Sequence, residues 1–388
     1  MSMPRKAKTK RLYLIPVLTK ALDILELLQS QSEPLVLEAI HKQTKVSKTT
    51  VYRILKTLVH RGYVGQTPDR GYHYIARPKK VRFGFGGQSA EMPFSQAVTA
   101  SLKQAAAGLG VDLIVMDNCY DAETAVRNAE SFVREGVDVV IEFQVEQHAA
   151  PIIADRIAAA NIPLIAIDIP HPHSTYFGVD NYRVGYEAGS LLAEYALNRW
   201  GGKMDWMLGL DLEEAGQLVQ SRITGAFEAV KTTLQNIPPE SFVRVDGRGL
   251  STASYKVVYD FLNRHPNATR ILIAAANDTS ALGAIAALRE LGRERHAVVV
   301  GQDFVDEMAL EMRRAGTPAI GSVSHEASLY GPRLIELGLS LLRGDKVAPY
   351  NFIEHKVITT PQLKRRTKAT PTLIKTKAAA TGKRAVKA

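Results

Sequence analysis

The chain has almost no cysteine: one, Cys119, among 388 residues. A single thiol closes no internal disulfide, so packing must hold the fold, and a reducing compartment suits it. No run of about 18 uncharged apolar residues occurs, so no membrane-spanning helix is expected. The front, MSMPRKAKTKRLYLIPVL, is basic, but its apolar patch is short and broken by Pro16. A secretory signal needs a longer apolar core, so the protein is expected in the cytoplasm. Phosphate loops, nucleophile elbows and plausible triad spacings are missing, so neither an enzyme nor a cofactor is expected. His171 and His173 are two residues apart, split by Pro172 and without a clear carboxylate partner, so no metal is expected.

Acid is missing from both ends. Residues 1–11 carry five Lys/Arg and no Asp/Glu, and residues 364–388 carry nine and none. Residues 12–80 carry eleven against five, while residues 81–363 carry 24 against 34. An acidic body thus lies between a basic front and a basic tail, and the sum is +10. Clustered positive charge is the electrostatic footprint of phosphate-backbone binding. Residues 1–11 read as an unfolded arm. Residues 364–388, rich in Lys, Ala and Thr, read as an unfolded tail.

What is present between them falls into two textures. From Thr19, TKALDILELLQSQ has helical spacing through Leu22, Ile24, Leu25 and Leu28. A second short helix follows in VLEAIHKQTK. The third begins after Ser47, a good N-cap, and buries Val51, Ile54, Leu55 and Leu58. Gly62 closes it. YVGQTPDRGYHYIA then reads as two short strands around Pro68-Asp69-Arg70-Gly71. Three helices and a hairpin over residues 12–76 make the winged helix-turn-helix order. With the apolar face inside, Lys48, Thr49, Thr50, Tyr52, Arg53 and Lys56 point outward. Arg can fork to guanine, Thr and Tyr can bond bases or phosphates, and Lys neutralises backbone charge. Arg70 at the hairpin tip could reach a neighbouring phosphate.

From residue 82 apolar runs of strand length alternate with helical stretches: VDLIVMDN, VDVVIEF, IPLIAIDI, DWMLGLD, ILIAAAND, AVVVGQDF and AIGSVSH. Continuous apolar strands separated by helices mean parallel sheets covered on both faces. Residues 82–363 are too many for one compact unit, so two linked α/β lobes are expected. A linker over residues 77–81 joins the two textures.

KALDILELLQS and LEAIHKQTKVSKTTVYRILKTLVHRGYVGQTPDRGYHY resemble the winged-helix domain of IclR-type transcription regulators. The resemblance implies a recognition helix from Ser47 to Lys56 and a wing from Gln66 to Tyr74. It places Lys48, Thr49, Thr50, Tyr52 and Arg53 nearest DNA. The body resembles the type I periplasmic-binding-protein fold of ribose-binding proteins and lactose-repressor-type regulators. The residues that carry this are MPFSQAVTASLKQAAAGLGVDLIVMD, ANIPLIAID, GVDNYRVGYEAG, SRITGAFEAV, AAANDTSALGAIAAL, VVVGQDF and LLRGDKVAP.

That resemblance implies two lobes closing on a ligand at the carboxyl ends of their strands. It implies hinge crossings near Tyr182, His325 and Lys356, with lobe 1 over about 82–182 and 326–355, and lobe 2 over about 183–325 and 356–363. By position it carries over Phe94 as a ring-stacking aromatic, Asp168 and Arg222 as hydroxyl binders, and Asn277, Asp303 and His325 as further cleft groups. Asp278 reads as the N-cap of its helix. A polyol's paired hydroxyls suit such acids, amides and Arg, and an aromatic covers its apolar side. Two positions depart from the ribose-type pattern. Ile169 stands where an Arg is common, and Met92 where an Asn is common, which implies a ligand with a less polar edge. The whole reads as a homodimer or higher homo-oligomer that binds operator DNA as a repressor and senses a small sugar or polyol.

Overall fold

The computed structural model describes residues 15–75 and 80–369, with only the backbone for residues 365–369. The expected basic arm (1–11), most of the linker (77–79) and residues 370–388 of the tail lie outside the described residues. The chain divides into two compact units between Lys80 and Val81.

The front unit starts with α1 (Pro16–Gln29), whose Pro16 occupies the first turn. The helix therefore begins three residues before the periodicity at Thr19, because proline's fixed φ suits a helix start and its missing N–H costs nothing there. A short strand, β1 (Leu35–Val36), leads into α2 (Leu37–Thr44). Lys45 turns the chain with φ +56°, and the Nδ1 of His41 bonds the Val46 carbonyl at 2.7 Å. Helix α3 (Lys48–His60) follows, and its Thr50 N–H donates to the Ser47 hydroxyl. Strands β2 (Val64–Gln66) and β3 (Gly71–Tyr74) form the antiparallel hairpin. Strand β1 joins β3 as a third member, which two residues of sequence could not announce. Ile24, Leu28, Ile40, Val46, Val51, Ile54, Leu55, Val64 and Tyr72 make one core.

The body contains two six-stranded sheets. The first lobe is built from β4 (Arg82–Gly87), α4 (Pro93–Leu109), β5 (Asp112–Asp117), α5 (Ala122–Glu135), β6 (Val139–Glu142), α6 (Ala150–Ala159), β7 (Leu164–Ile167) and β8 (Thr175–Gly178). The second is built from α7 (Asn181–Trp200), β9 (Trp206–Asp211), α8 (Gln217–Thr233), β10 (Phe242–Asp246), α9 (Ser251–Arg264), β11 (Ile271–Ala275), α10 (Asp278–Glu290), β12 (Ala297–Asp303), α11 (Asp306–Arg313) and β13 (Ala319–Ser324). The chain then returns to the first lobe for α12 (Tyr330–Arg343) and β14 (Tyr350–Phe352). It ends in the second with β15 (Lys356–Thr359) and α13 (Thr360–Ala369). Sheet order is β14-β8-β7-β6-β4-β5 in the first lobe and β10-β9-β11-β12-β13-β15 in the second. All pairs are parallel except β13 with β15.

Three chain crossings join the lobes: between β8 and α7, between β13 and α12, and between β14 and β15. An ion pair and a hydrogen bond stitch them together. Lys356 Nζ meets Glu326 at 2.9 Å, and His355 Nε2 meets Glu187 at 3.1 Å. Helix α13 occupies residues 364–369, where unfolded tail was expected. The correction has a packing cause: Leu363 is buried in the core, and α13 lies on α11.

Candidate functional site

In the front unit, Ser47, Lys48, Thr49, Tyr52, Arg53, Lys56 and Arg70 are exposed and Thr50 is half-buried. They are not equally free. Ser47 and Thr50 hydroxyls hold each other at 2.8 Å as part of the cap. Lys48 Nζ is paired with Glu38 of α2 at 2.7 Å, and Lys56 Nζ lies 5.8 Å from the centre of the Tyr52 ring. Arg53 extends from the middle of the exposed face. Arg70 sits in the hairpin turn at φ +63°.

In the body, a cavity of about 40 Å³ lies between the two sheets at their carboxyl ends. Phe94, Asp168, Arg222, Asn277 and Asp303 line it. His325, expected as a cleft group, is not among the lining residues: it is fully buried against Phe94 and Asp303, which are. Each is held by local structure. Asp168 follows β7 with φ +60°, pinned by its N–H to the Phe177 carbonyl at 3.0 Å. Asp303 ends β12 at φ +98°. Phe94 starts α4 and meets Phe143, His325 and Tyr330 edge-on, with ring centres 5.5–6.3 Å apart.

Arg222 depends on glycine. A Cβ on Gly185 of α7 would fall inside the Arg222 carbonyl, and one on Gly189 inside that of Ala226. Gly225 of α8 answers by sitting against the Tyr182 carbonyl. The two helices therefore touch backbone to backbone, and this sets the depth of the guanidinium. Its Nε donates to Asn181 Oδ1 at 2.6 Å, Nη1 to the Ala276 carbonyl at 2.9 Å, and Nη2 lies 3.5 Å from Asp168 Oδ2.

The other oxygen, Asp168 Oδ1, is buried without a protein partner. So is the Nε2 of Gln144, another cavity residue. Burial raises the Asp168 carboxyl above its ordinary range, with Arg222 pulling the other way. An unpartnered buried acceptor and donor in one cavity are groups that a hydroxylated ligand would satisfy.

The remaining expected residues have structural duties. Asn277, not Asp278, caps α10: its Oδ1 accepts from the Ser280 N–H at 2.8 Å and its Nδ2 donates to the Gly249 carbonyl at 3.0 Å. Asp278 is the first helical residue, fully buried, accepting from Val305 N–H and Ser322 Oγ. Burial, then the nearby Asp303 charge, push its carboxyl well up. The reading of Asp278 as the cap is thus off by one residue, because two adjacent capping types follow β11. His325 Nε2 is 3.0 Å from Gln302 Oε1, and its Nδ1 is 3.2 Å from Asp303 Oδ1. His171 is buried with its Nδ1 on the Ile169 carbonyl, and burial lowers it to about 4. Among the described residues, no group of three or more His, Cys, Asp or Glu could hold a metal ion.

Sequence reasoning missed Gln88, Gln144 and Thr279, all cavity residues. It also missed Glu142, which ends β6 fully buried, with Oε1 on the Asn118 amide at 2.7 Å and Oε2 unpartnered. Burial raises this carboxyl to about 8, against the pull of the Asn118 hydrogen bond. Its folded pKa therefore exceeds its unfolded one. The protonated acid stabilises the fold fully below about pH 4.5, and that stability fades as pH climbs through about 8. Relative to Glu142→Gln, the wild type should lose on the order of 4 kcal/mol across this window. Urea midpoints at a series of pH values check this; parallel curves for the two proteins would refute it.

Two family profiles match the chain. One, described as a periplasmic binding protein domain, covers residues 83–346. The other, described as an IclR helix-turn-helix domain, covers residues 17–68. A putative rhizopine-binding protein of Rhizobium meliloti is 24% identical over 266 residues, 66% of this chain and 82% of that protein. The galactofuranose-binding protein YtfQ of Escherichia coli (strain K12) is 25% identical over 226 residues, 56% of this chain and 68% of that protein. A periplasmic solute-binding protein of an ABC transporter from Actinobacillus succinogenes, solved with bound D-allose, aligns with TM-score 0.64 and 19% identity. It covers 74% of this chain and 100% of that one. A solute-binding protein from Bacillus halodurans, solved with bound myo-inositol, aligns with TM-score 0.64 and 17% identity over 76% of this chain and 99% of that one. At such identities the likeness to the solved structures is one of fold.

Proposed function

The chain belongs to the periplasmic binding protein domain family and carries an IclR helix-turn-helix domain ahead of it, and on that premise we propose a ligand-responsive transcription regulator. The front unit binds operator DNA through α3, and the cavity of the body takes a small sugar or polyol. The observation that carries this reading is the pairing of two things in one chain: the exposed cationic face of α3, and a cavity lined by Asp168 and Gln144, each of which has a buried polar atom without a protein partner. The protein works as a cytoplasmic homodimer, since two winged helices match two half-sites. Repression is the proposed sign. Among the described residues no helix is long and apolar enough to cross a membrane.

The ligand class follows from the cavity wall. Acids, amides and Arg222 line it together with Phe94, Phe143 and Ile169. Relatives named for galactofuranose and rhizopine, and fold neighbours solved with allose and myo-inositol, support a compact polyhydroxylated ring. The test is a thermal-shift screen of sugars and cyclitols, since a ligand of the folded state alone raises its melting point. A panel without a single shift would sink the polyol reading.

The DNA half is tested separately. Arg53→Ala should weaken operator binding by about tenfold or more at moderate salt, because a forked contact to a base is worth roughly 1–3 kcal/mol. Gel-shift titration measures it, and an unchanged affinity counts against α3 as the reading helix. A transport receptor is the second reading, favoured by the relatives' names. It predicts sugar binding with no affinity for DNA.

A further inference from the structure

The lobes also touch each other directly, partly through the apolar wall of the cavity, where Ile169, Leu212, Ala215 and Val219 are lining residues, and partly outside it. Ala150 and Ile169 of the first lobe pack with Leu212, Ala215, Val219 and Ala276 of the second, all buried. Ile169 is 2% exposed there, and Leu212 6%. To one side, Tyr120 Oη donates to the Arg248 carbonyl at 2.9 Å. Gly249, at φ +66°, makes room: a Cβ there would stand 2.6 Å from that hydroxyl oxygen. To the other side, Gln147 lies against Gly216, at φ +82°, where any Cβ would overlap its side chain. Two glycines in the left-handed region thus clear two docking points, with an apolar seam between them.

We propose that the lobes close on each other without an effector, held by this seam and by the Tyr120 and Gln147 contacts. Opening would expose Ile169, Leu212 and Val219 to water, and apolar area returned to water opposes it. The Arg222 fork adds to closure, since it reaches from α8 to Asp168 across the lobes. Against it stands the repulsion between Asp303 of the second lobe and Asp168 of the first. The apolar residue at 169 is therefore a clasp as well as a cavity wall. An effector then enters through a minor open state, and its apparent affinity is reduced by the open fraction.

The test needs no effector. The full chain, carrying Cys119→Ser, Lys103→Cys and Lys256→Cys, is spin-labelled on α4 and α9 and stripped of ligand by unfolding and refolding. The distance distribution between labels should show one dominant short population. Ile169→Ser should raise the long-distance fraction by about tenfold, and Tyr120→Ala should raise it in the same direction. If Ile169→Ser does not fold, Tyr120→Ala carries the test. A dominant long-distance population in the stripped parent overturns the proposal. So does a distribution that neither variant changes. These outcomes are independent of the sugar screen: a panel without a hit sinks the effector reading and leaves the clasp standing.

Discussion

Arg222→Ala should abolish the thermal shift given by any effector found in the screen, and it should weaken the fold as well. The guanidinium ties Asn181, the Ala276 carbonyl and Asp168 at one point. Removing it leaves a buried carboxylate facing a void, and breaking a buried pair from one side costs about 3–5 kcal/mol. Loss of a buried, hydrogen-bonded charge from a binding site costs about 2–5 kcal/mol, or some 30-fold to more than a thousandfold in affinity. Arg222→Lys keeps the charge but has one nitrogen where the native group has three, so it should recover stability in part and affinity hardly at all. Calorimetric titration separates the two readouts. An alanine variant with native affinity would remove Arg222 from the site.

The second large effect comes from a residue with no side chain. Gly185→Val puts branched carbon into the Arg222 backbone, where α7 and α8 leave no space. The helices must part, and overpacking of this kind costs about 1–3 kcal/mol, or more where backbone has to move. The same movement withdraws Arg222, so effector affinity should fall with stability. Both tryptophans, Trp200 and Trp206, lie in the second lobe, so fluorescence during urea unfolding reports on this unit and not on the front one. An unchanged midpoint would mean that the helices are less tightly joined than described.

Much of this was legible in the sequence, and the reasons differ by element. Strands β5, β6, β7, β9, β11, β12 and β13 are continuous apolar runs, because both faces of each sheet are covered. Strand β4 (RFGFGG) escaped notice, since half its residues are glycine. These small residues make room for larger ones: Gly84 faces Phe132, and Gly86 faces Glu142. Strands β1, β14 and β15 are short and lie at sheet edges, where periodicity carries little signal. In the site, the resemblance implies Asp168, Asn277 and Asp303, all of which lie at or just past strand ends, the rule for open α/β sheets. Applied to β4 and β6 as well, that rule would have added Gln88 and Gln144. Glu142 looked like part of an apolar strand, and only burial shows what an acid there costs. The apolar residue at Ile169 was visible as a departure, but its partners Leu212 and Val219 lie more than 40 positions away.

The three crossings have a consequence for how the chain comes into being. The second lobe holds residues 181–324 almost without interruption, whereas the first needs α12 and β14 from beyond residue 330. A ribosome delivers the front unit, then a half-finished sheet, then most of a whole lobe, before the pieces that complete the half-finished sheet emerge. Until α12 covers Phe83 and Val139, that early sheet shows bare hydrocarbon to the cell. The interval of greatest exposure to misassociation therefore falls in the middle of synthesis, and chaperone capture of arrested nascent chains should peak for those that stop short of residue 330.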